Sequence, residues 1–180
     1  MRKFLVMTLL LLGFNQAAFA REPSSFEAVD MLDLTADNVP TTGAATLTRT
    51  RQSLNVHIVT TGLLPGNLYT VWFVLFHKPE NCVDGCNGPD LGAADGAVIF
   101  GSSFVADSIG GGTVDASLDA GQLAEGRFYN PALGDRLRPG HGMTVETHMV
   151  VAGHNIPAAG DWDTESTTPA AGVQAALFIP

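Results

Sequence analysis

Hydrophobic and polar positions alternate with a period of two along most of the chain. In SLNVHIVTT, Leu54, Val56 and Ile58 fall on one side, with Asn55, His57 and Val59 on the other. GTVDASLDAG sets Val114, Ala116 and Leu118 against Thr113, Asp115, Ser117 and Asp119. MTVETHMVV sets Met143, Val145, Thr147 and Met149 against Thr144, Glu146 and His148. Successive side chains of a strand point to opposite faces, so each stretch predicts a half-buried β-strand. AVIFGSSFVA and GVQAALFIP read as strands too. The run Leu68–Phe76 is apolar on both sides apart from Thr70, which predicts a central strand covered on both faces.

Turn chemistry separates these runs. Gly62-Leu63-Leu64-Pro65-Gly66, Gly110-Gly111-Gly112, Arg138-Pro139-Gly140 and Ala158-Ala159-Gly160-Asp161 each break the pattern. Residues 43–61 read as a hairpin with its tip at Gln52-Ser53. The best helical candidate is Ala116–Arg127, whose later part has room for one or two turns. Pro157–Ala171, rich in Ala, Thr, Gly and Pro, reads as a long mobile loop before the last strand. Short strands at near-regular spacing predict an all-β fold, an antiparallel β-sandwich in a single domain.

The amino terminus changes the setting of that domain. Arg2 and Lys3 precede an apolar run from Phe4 to Phe14, and Ala18-Phe19-Ala20 supplies a small-x-small cleavage pattern. Residues 1–20 are expected to be a signal peptide, 21–26 a disordered start, and 27–180 the β-sandwich. The apolar run is shorter than a membrane span, and no later segment is long and apolar enough for one. The expected location is therefore periplasmic or extracellular. Removing the leader leaves seven basic residues against 18 acidic ones, with Lys78 the only lysine. Such an acidic chain repels phosphate backbones, so nucleic acid is not an expected partner.

Candidate chemistry collects after Phe76, in HKPENCVDGCNGPD. Cys82 and Cys86 are read first as a disulfide, because an exported chain meets oxidising conditions. The competing reading is a metal site of His77, Cys82 and Cys86 with Asp84 or Asp90, which requires reduced thiolates. A second metal candidate, for copper or zinc, uses His57, His148 and His154 with help from Glu146. It depends on their strands being neighbours. Solvated or hydrogen-bonded imidazoles are the plainer alternative. Trp162, with Tyr129 and Phe128 as further aromatics, is a carbohydrate candidate. Asp161, Asp163 and Glu165 carry oxygen ligands of the kind calcium takes, without the spacing of a calcium loop. Ser102-Ser103 lies inside an apparent strand rather than on a nucleophile elbow. Gly110-Gly111-Gly112 lacks the Lys-Ser/Thr of a phosphate loop.

GLLPGNLYTVWFVLFHKPENC, with Cys86 and the later ETHMVVAGH, resembles a family of uncharacterised exported bacterial proteins. That resemblance implies export and an all-β fold. The GLLPG turn before an aromatic strand is also similar to CHRD-type domains and to copper/zinc superoxide dismutase-like sandwiches. This second likeness is one of architecture: a dismutase-like strand has a His-x-His pair, and NVHIV has His57 alone. The expected function is an exported binding or structural module without catalysis, its partner a protein or polysaccharide. The alternatives are a periplasmic copper- or zinc-binding protein or metal-dependent oxidoreductase, and a carbohydrate-binding module.

Overall fold

A computed structural model describes residues 22–123, 133–157 and 171–180. The strands are β1 (Ser24–Asp33), β2 (Val39–Thr50), β3 (Ser53–Thr60), β4 (Asn67–Phe76), β5 (Gly96–Val105), β6 (Gly112–Asp119), β7 (Glu146–Pro157) and β8 (Ala171–Phe178). They form one eight-stranded sheet in the order β5-β4-β7-β8-β1-β2-β3-β6, and every hydrogen-bonded pair is antiparallel. The terminal strands β5 and β6 come back together. A Cβ placed on Gly101 of β5 lies 3.2 Å from the Cβ of Ala116 on β6. The sheet is thus curled into a nearly closed barrel, and the two expected layers are halves of one continuous sheet. With β5 beside β6, the spatial order β7-β4-β5-β6 is a Greek key: β7 returns by a long connection to lie next to β4.

The period of two decides which side chains fill the barrel. Leu54, Val56 and Ile58 of β3 and Val114, Ala116 and Leu118 of β6 all point inward. They meet Val71, Phe73 and Leu75 of β4, Met149 and Val151 of β7, and Ala176 and Phe178 of β8. All eight strands contribute to this cluster, as expected of a single domain. Burying each of the larger side chains contributes about 1.5–3 kcal/mol before conformational entropy is set against it. The hairpin of β2 and β3 turns through Arg51 and Gln52, and its register pairs Leu47 with Val56.

Polar groups seal both ends. At the lower end, with the 51–52 turn, Arg49 continues the inward series Ala45, Leu47 and is 1% exposed. At the upper end Thr60 donates its hydroxyl hydrogen to Gln174 Oε1, and Gln174 Nε2 donates to Thr61 O at 2.7 Å. Tyr69 is tied to the same end, its hydroxyl accepting the Leu64 N–H at 2.9 Å.

The structure also differs from expectation in local elements. Pro157 and Ala171, the ends of the expected loop, close β7 and open β8, and residues 158–170 between them lie outside the described residues. Residues 24–26 belong to β1 instead of a disordered start: Ser24, Ser25 and Phe26 pair with Thr50, Arg49 and Thr48. Residues 116–119 are the end of strand β6, and the chain turns at Asp119–Gln122. The rest of the helical candidate, 124–127, lies outside the described residues. Among the described residues no helix is long and apolar enough to cross a membrane.

Candidate functional site

The corner after β4 is a disulfide-pinned cover. On β4 the inward side chains are Tyr69, Val71, Phe73 and Leu75, so Val74 and Phe76 point outward. They are not left in water. The loop 77–95 folds back over them, and Phe76, Cys86 and Ala94 form a second buried cluster with Val74, Cys82 and Leu91 packed against it. The apolarity of both faces of β4 therefore has two causes, the barrel core inside and this loop outside. Cys82 and Cys86 are bonded, with S–S 2.14 Å and Cα–Cα 5.1 Å. Gly85 between them adopts φ +84°, the left-handed geometry that closes so short a ring. Asn81 Nδ2 donates to Ala93 O at 2.9 Å, and Lys78 N–H to Ala94 O at 3.0 Å, bracing the loop across its base.

With both sulfurs in the disulfide, the His77–Cys82–Cys86 metal reading falls. His77 is engaged as well. Its Nδ1 lies 2.8 Å from Asp95 O, and its Nε2 accepts the Arg138 N–H at 3.1 Å. A carbonyl on one nitrogen and an N–H on the other fix the neutral Nδ1–H tautomer. Burial pushes its pKa below the ordinary value, against the opposing Asp95 carbonyl. The His141 ring sits edge-on to His77, with centroids 5.7 Å apart. Arg138 Nη2 donates to Asp95 Oδ1 at 2.6 Å. His77 thus joins the 77–95 loop to the segment that precedes β7.

The second metal candidate is spread over the barrel. His148 and Glu146 share the outer face of β7, with Nε2 and Oε1 2.7 Å apart, and both residues are buried. The Phe76 ring lies 5.0 Å from the His148 ring. Burial lowers the His148 pKa, and the Glu146 carboxylate opposes that shift. His154 Nε2 meets Thr70 Oγ1 at 2.9 Å, and Trp72 Nε1 donates to the same hydroxyl at 2.8 Å. His57 is elsewhere. It stands on β3 directly opposite Asp115 of β6, with Nδ1 2.7 Å from Oδ1. Strands β8, β1 and β2 separate β3 from β7, so His57 does not join His148 and His154. Among the described residues no group of three or more His, Cys, Asp and Glu side chains is placed to hold a metal ion. Trp162, Asp161, Asp163, Glu165, Tyr129 and Phe128 lie outside the described residues.

The upper end gathers a set of residues that sequence reasoning did not single out. Turns 34–38, 61–66 and 106–111 all lie there, because antiparallel strands return every second connection to one end. Turns 61–66 and 106–111 are bonded to each other, and the Leu34 N–H donates to Val173 O at 3.0 Å. Leu63 N–H donates to Gly110 O at 3.0 Å, and Gly66 N–H to Ala106 O at 2.9 Å. Gly110, at φ +79°, approaches so closely that a Cβ there would lie 2.2 Å from Leu63 O. Asp107 Oδ1 accepts the N–H groups of Ile109 and Gly111 at 2.9 and 2.8 Å. Asp33 Oδ1 accepts from the hydroxyl and N–H of Thr35, which hold its carboxyl below the usual range. Leu64 and Ile109 on the two joined turns are 59% and 86% exposed, and Leu34 on the third turn is 37% exposed. Apolar residues inside turn segments were the available signal, but sequence alone does not show that separate turns share an end.

No family model, no curated protein and no solved structure matches the chain.

Proposed function

We propose that the protein is an exported β-barrel module that binds a partner through the rim at its upper end and has no catalytic activity of its own. In this reading it stands with the exported bacterial all-β proteins its sequence resembles. The observation that carries it is the exposure of Leu64 and Ile109 on turns 61–66 and 106–111, which hydrogen bonds tie together. Exposed apolar side chains grouped on loops of a rigid scaffold mark interaction sites, whereas singly scattered ones do not. The histidines give less support to catalysis, since His57, His77, His148 and His154 each have a protein partner.

The test is site-specific photo-crosslinking in the native exported protein. A crosslinking residue at position 109 should give a discrete adduct, and one at Ser117 on the side of β6 should not. Folded, soluble protein that gives no adduct from position 109 overturns the reading. Amino-terminal sequencing of the same material tests export, the expected first residue being Arg21.

A further inference from the structure

The segment 133–145, which leads into β7, covers the lower end of the core. Leu137 in its middle is fully buried and belongs to the core cluster. The Leu137 carbonyl accepts the Gly121 N–H at 2.8 Å, and the Gly134 N–H donates to Gly96 O at 2.8 Å. A further bond depends on a titratable group. The Arg138 N–H, next to Leu137, donates to Nε2 of His77 at 3.1 Å. His77 is 6% exposed, and its Nδ1–H is committed to Asp95 O at 2.8 Å. Nε2 is thus the one ring atom that can take a further proton, and it is also the acceptor that fastens the segment. Two buried polar atoms beside this ring, Asp95 Oδ2 and His141 Nδ1, find no partner in the protein. Leaving them unsatisfied costs free energy in the closed arrangement, and water reaching them returns it.

We propose that His77 is a proton-operated latch: a proton taken up at Nε2 sets two N–H groups face to face, unfastens the segment 133–145 at Arg138, and admits water to the core beside Leu137. The latch is shut while the imidazole is neutral and opens when it is charged. In the shut state burial disfavours the charged ring, as do the positive Arg138 and His141, whereas the Asp95 carbonyl and carboxylate favour it. Asp95, Arg138 and His141 are the charged and titratable groups that face the ring among the described residues. In the open state the ring is hydrated and titrates near the ordinary value of about 6.5. Proton uptake therefore favours opening as pH falls below that value, by up to about thirtyfold at about pH 5. The bond from Arg138 Nη2 to Asp95 Oδ1, 2.6 Å, does not involve that proton and tethers the segment for reclosure. The latch lies at the opposite end of the barrel from the proposed binding rim and is independent of that reading.

The test is amide hydrogen exchange of the intact protein by NMR, expressed as protection factors so that the intrinsic effect of pH is removed. Protection of the Arg138 and Gly121 amides should fall about tenfold or more between about pH 7.5 and about pH 5. Low urea should not speed their exchange, because a local opening exposes little surface, whereas Val56 and Ala116 in the core should respond to it. His77→Gln keeps an acceptor for the Arg138 N–H and takes up no proton, so the fall should vanish there. His148→Gln should retain it. Titration of the ring nitrogens in the unaltered protein decides the matter even if His77→Gln does not fold. His77 should be the Nδ1–H tautomer at neutral pH and take its proton over the range in which Arg138 loses protection. The proposal is overturned by a fall that persists in His77→Gln, or by one that urea speeds as strongly as it does Val56 and Ala116. A ring that takes up its proton while Arg138 stays protected overturns it too.

Discussion

Arg49 Nε donates to Glu27 Oε1 at 2.7 Å near the bottom of the barrel, where β2 ends and β1 begins. The same guanidinium donates to the carbonyls of Val145 and Phe178, the latter at 3.0 Å. One side chain thus ties β2 to β1, to the start of β7 and to the end of β8. The fork of donors matches this set of acceptors, and an ammonium group does not.

Replacing Arg49 removes those bonds and leaves Glu27 and two carbonyls without their donor. Arg49→Ala should therefore destabilise the protein by about 3–5 kcal/mol, the range for breaking a buried pair by deleting one partner. Arg49→Lys should recover less than half of that. Urea unfolding followed by tryptophan fluorescence measures both, and a change below about 1 kcal/mol would contradict the role given to this residue.

The buried histidines set a pH dependence. His77 and His148 both have pKa values lowered by burial, so the unfolded chain binds protons that the folded one resists. Stability from this source is complete above the ordinary histidine value of about 6.5 and falls as pH drops below it, until the lowered folded values are reached. The urea midpoint should thus be flat above about pH 7 and decline below about 6.5. Asp33 and Asp135, with pKa values held down by Thr35 and Arg136, add a separate loss that begins only near pH 4 and below. His77→Asn combined with His148→Gln should remove the first decline and leave the second. An unchanged profile in that double variant would locate the decline elsewhere.

Cys82 and Cys86 close a ring too small to constrain much of the unfolded chain. Cys82→Ser with Cys86→Ser should cost about 2 kcal/mol on the chain-entropy model and leave the barrel intact. The effect should be local. Amide hydrogen exchange should quicken across residues 77–95, where the loop covers Val74 and Phe76, and stay slow in β3 and β6. Uniform acceleration would mean that the disulfide supports the whole fold.

Metal content separates the binding reading from its rival. Untagged protein purified from its native source should contain copper and zinc well below one equivalent. A full equivalent that vanishes in His148→Ala would displace the binding module in favour of a metal protein built on Glu146 and His148. That pair is held at 2.7 Å on the outer face of β7.

Local sequence determined the strands whose pattern is undisturbed. Val56 and Ala116 had to face the core because alternation leaves no other choice, and the two-sided apolarity of Leu68–Phe76 required a covered strand. The short spacing of Cys82 and Cys86, read together with the expectation of export, pointed to the bond that forms. Strand β1 was not legible, because its inward series Glu27, Val29, Met31 is broken by a carboxylate. Glu27 is placed there to meet an arginine from a neighbouring strand. Tertiary structure alone decided that His57 and His148 lie apart, since strand order depends on long-range pairing that no local period encodes. It also decided that the turns carrying Leu34, Leu64 and Ile109 lie at one end of the barrel. The Greek-key path gathers turns distant in sequence at one end, where solvent reaches side chains that sequence alone leaves unplaced.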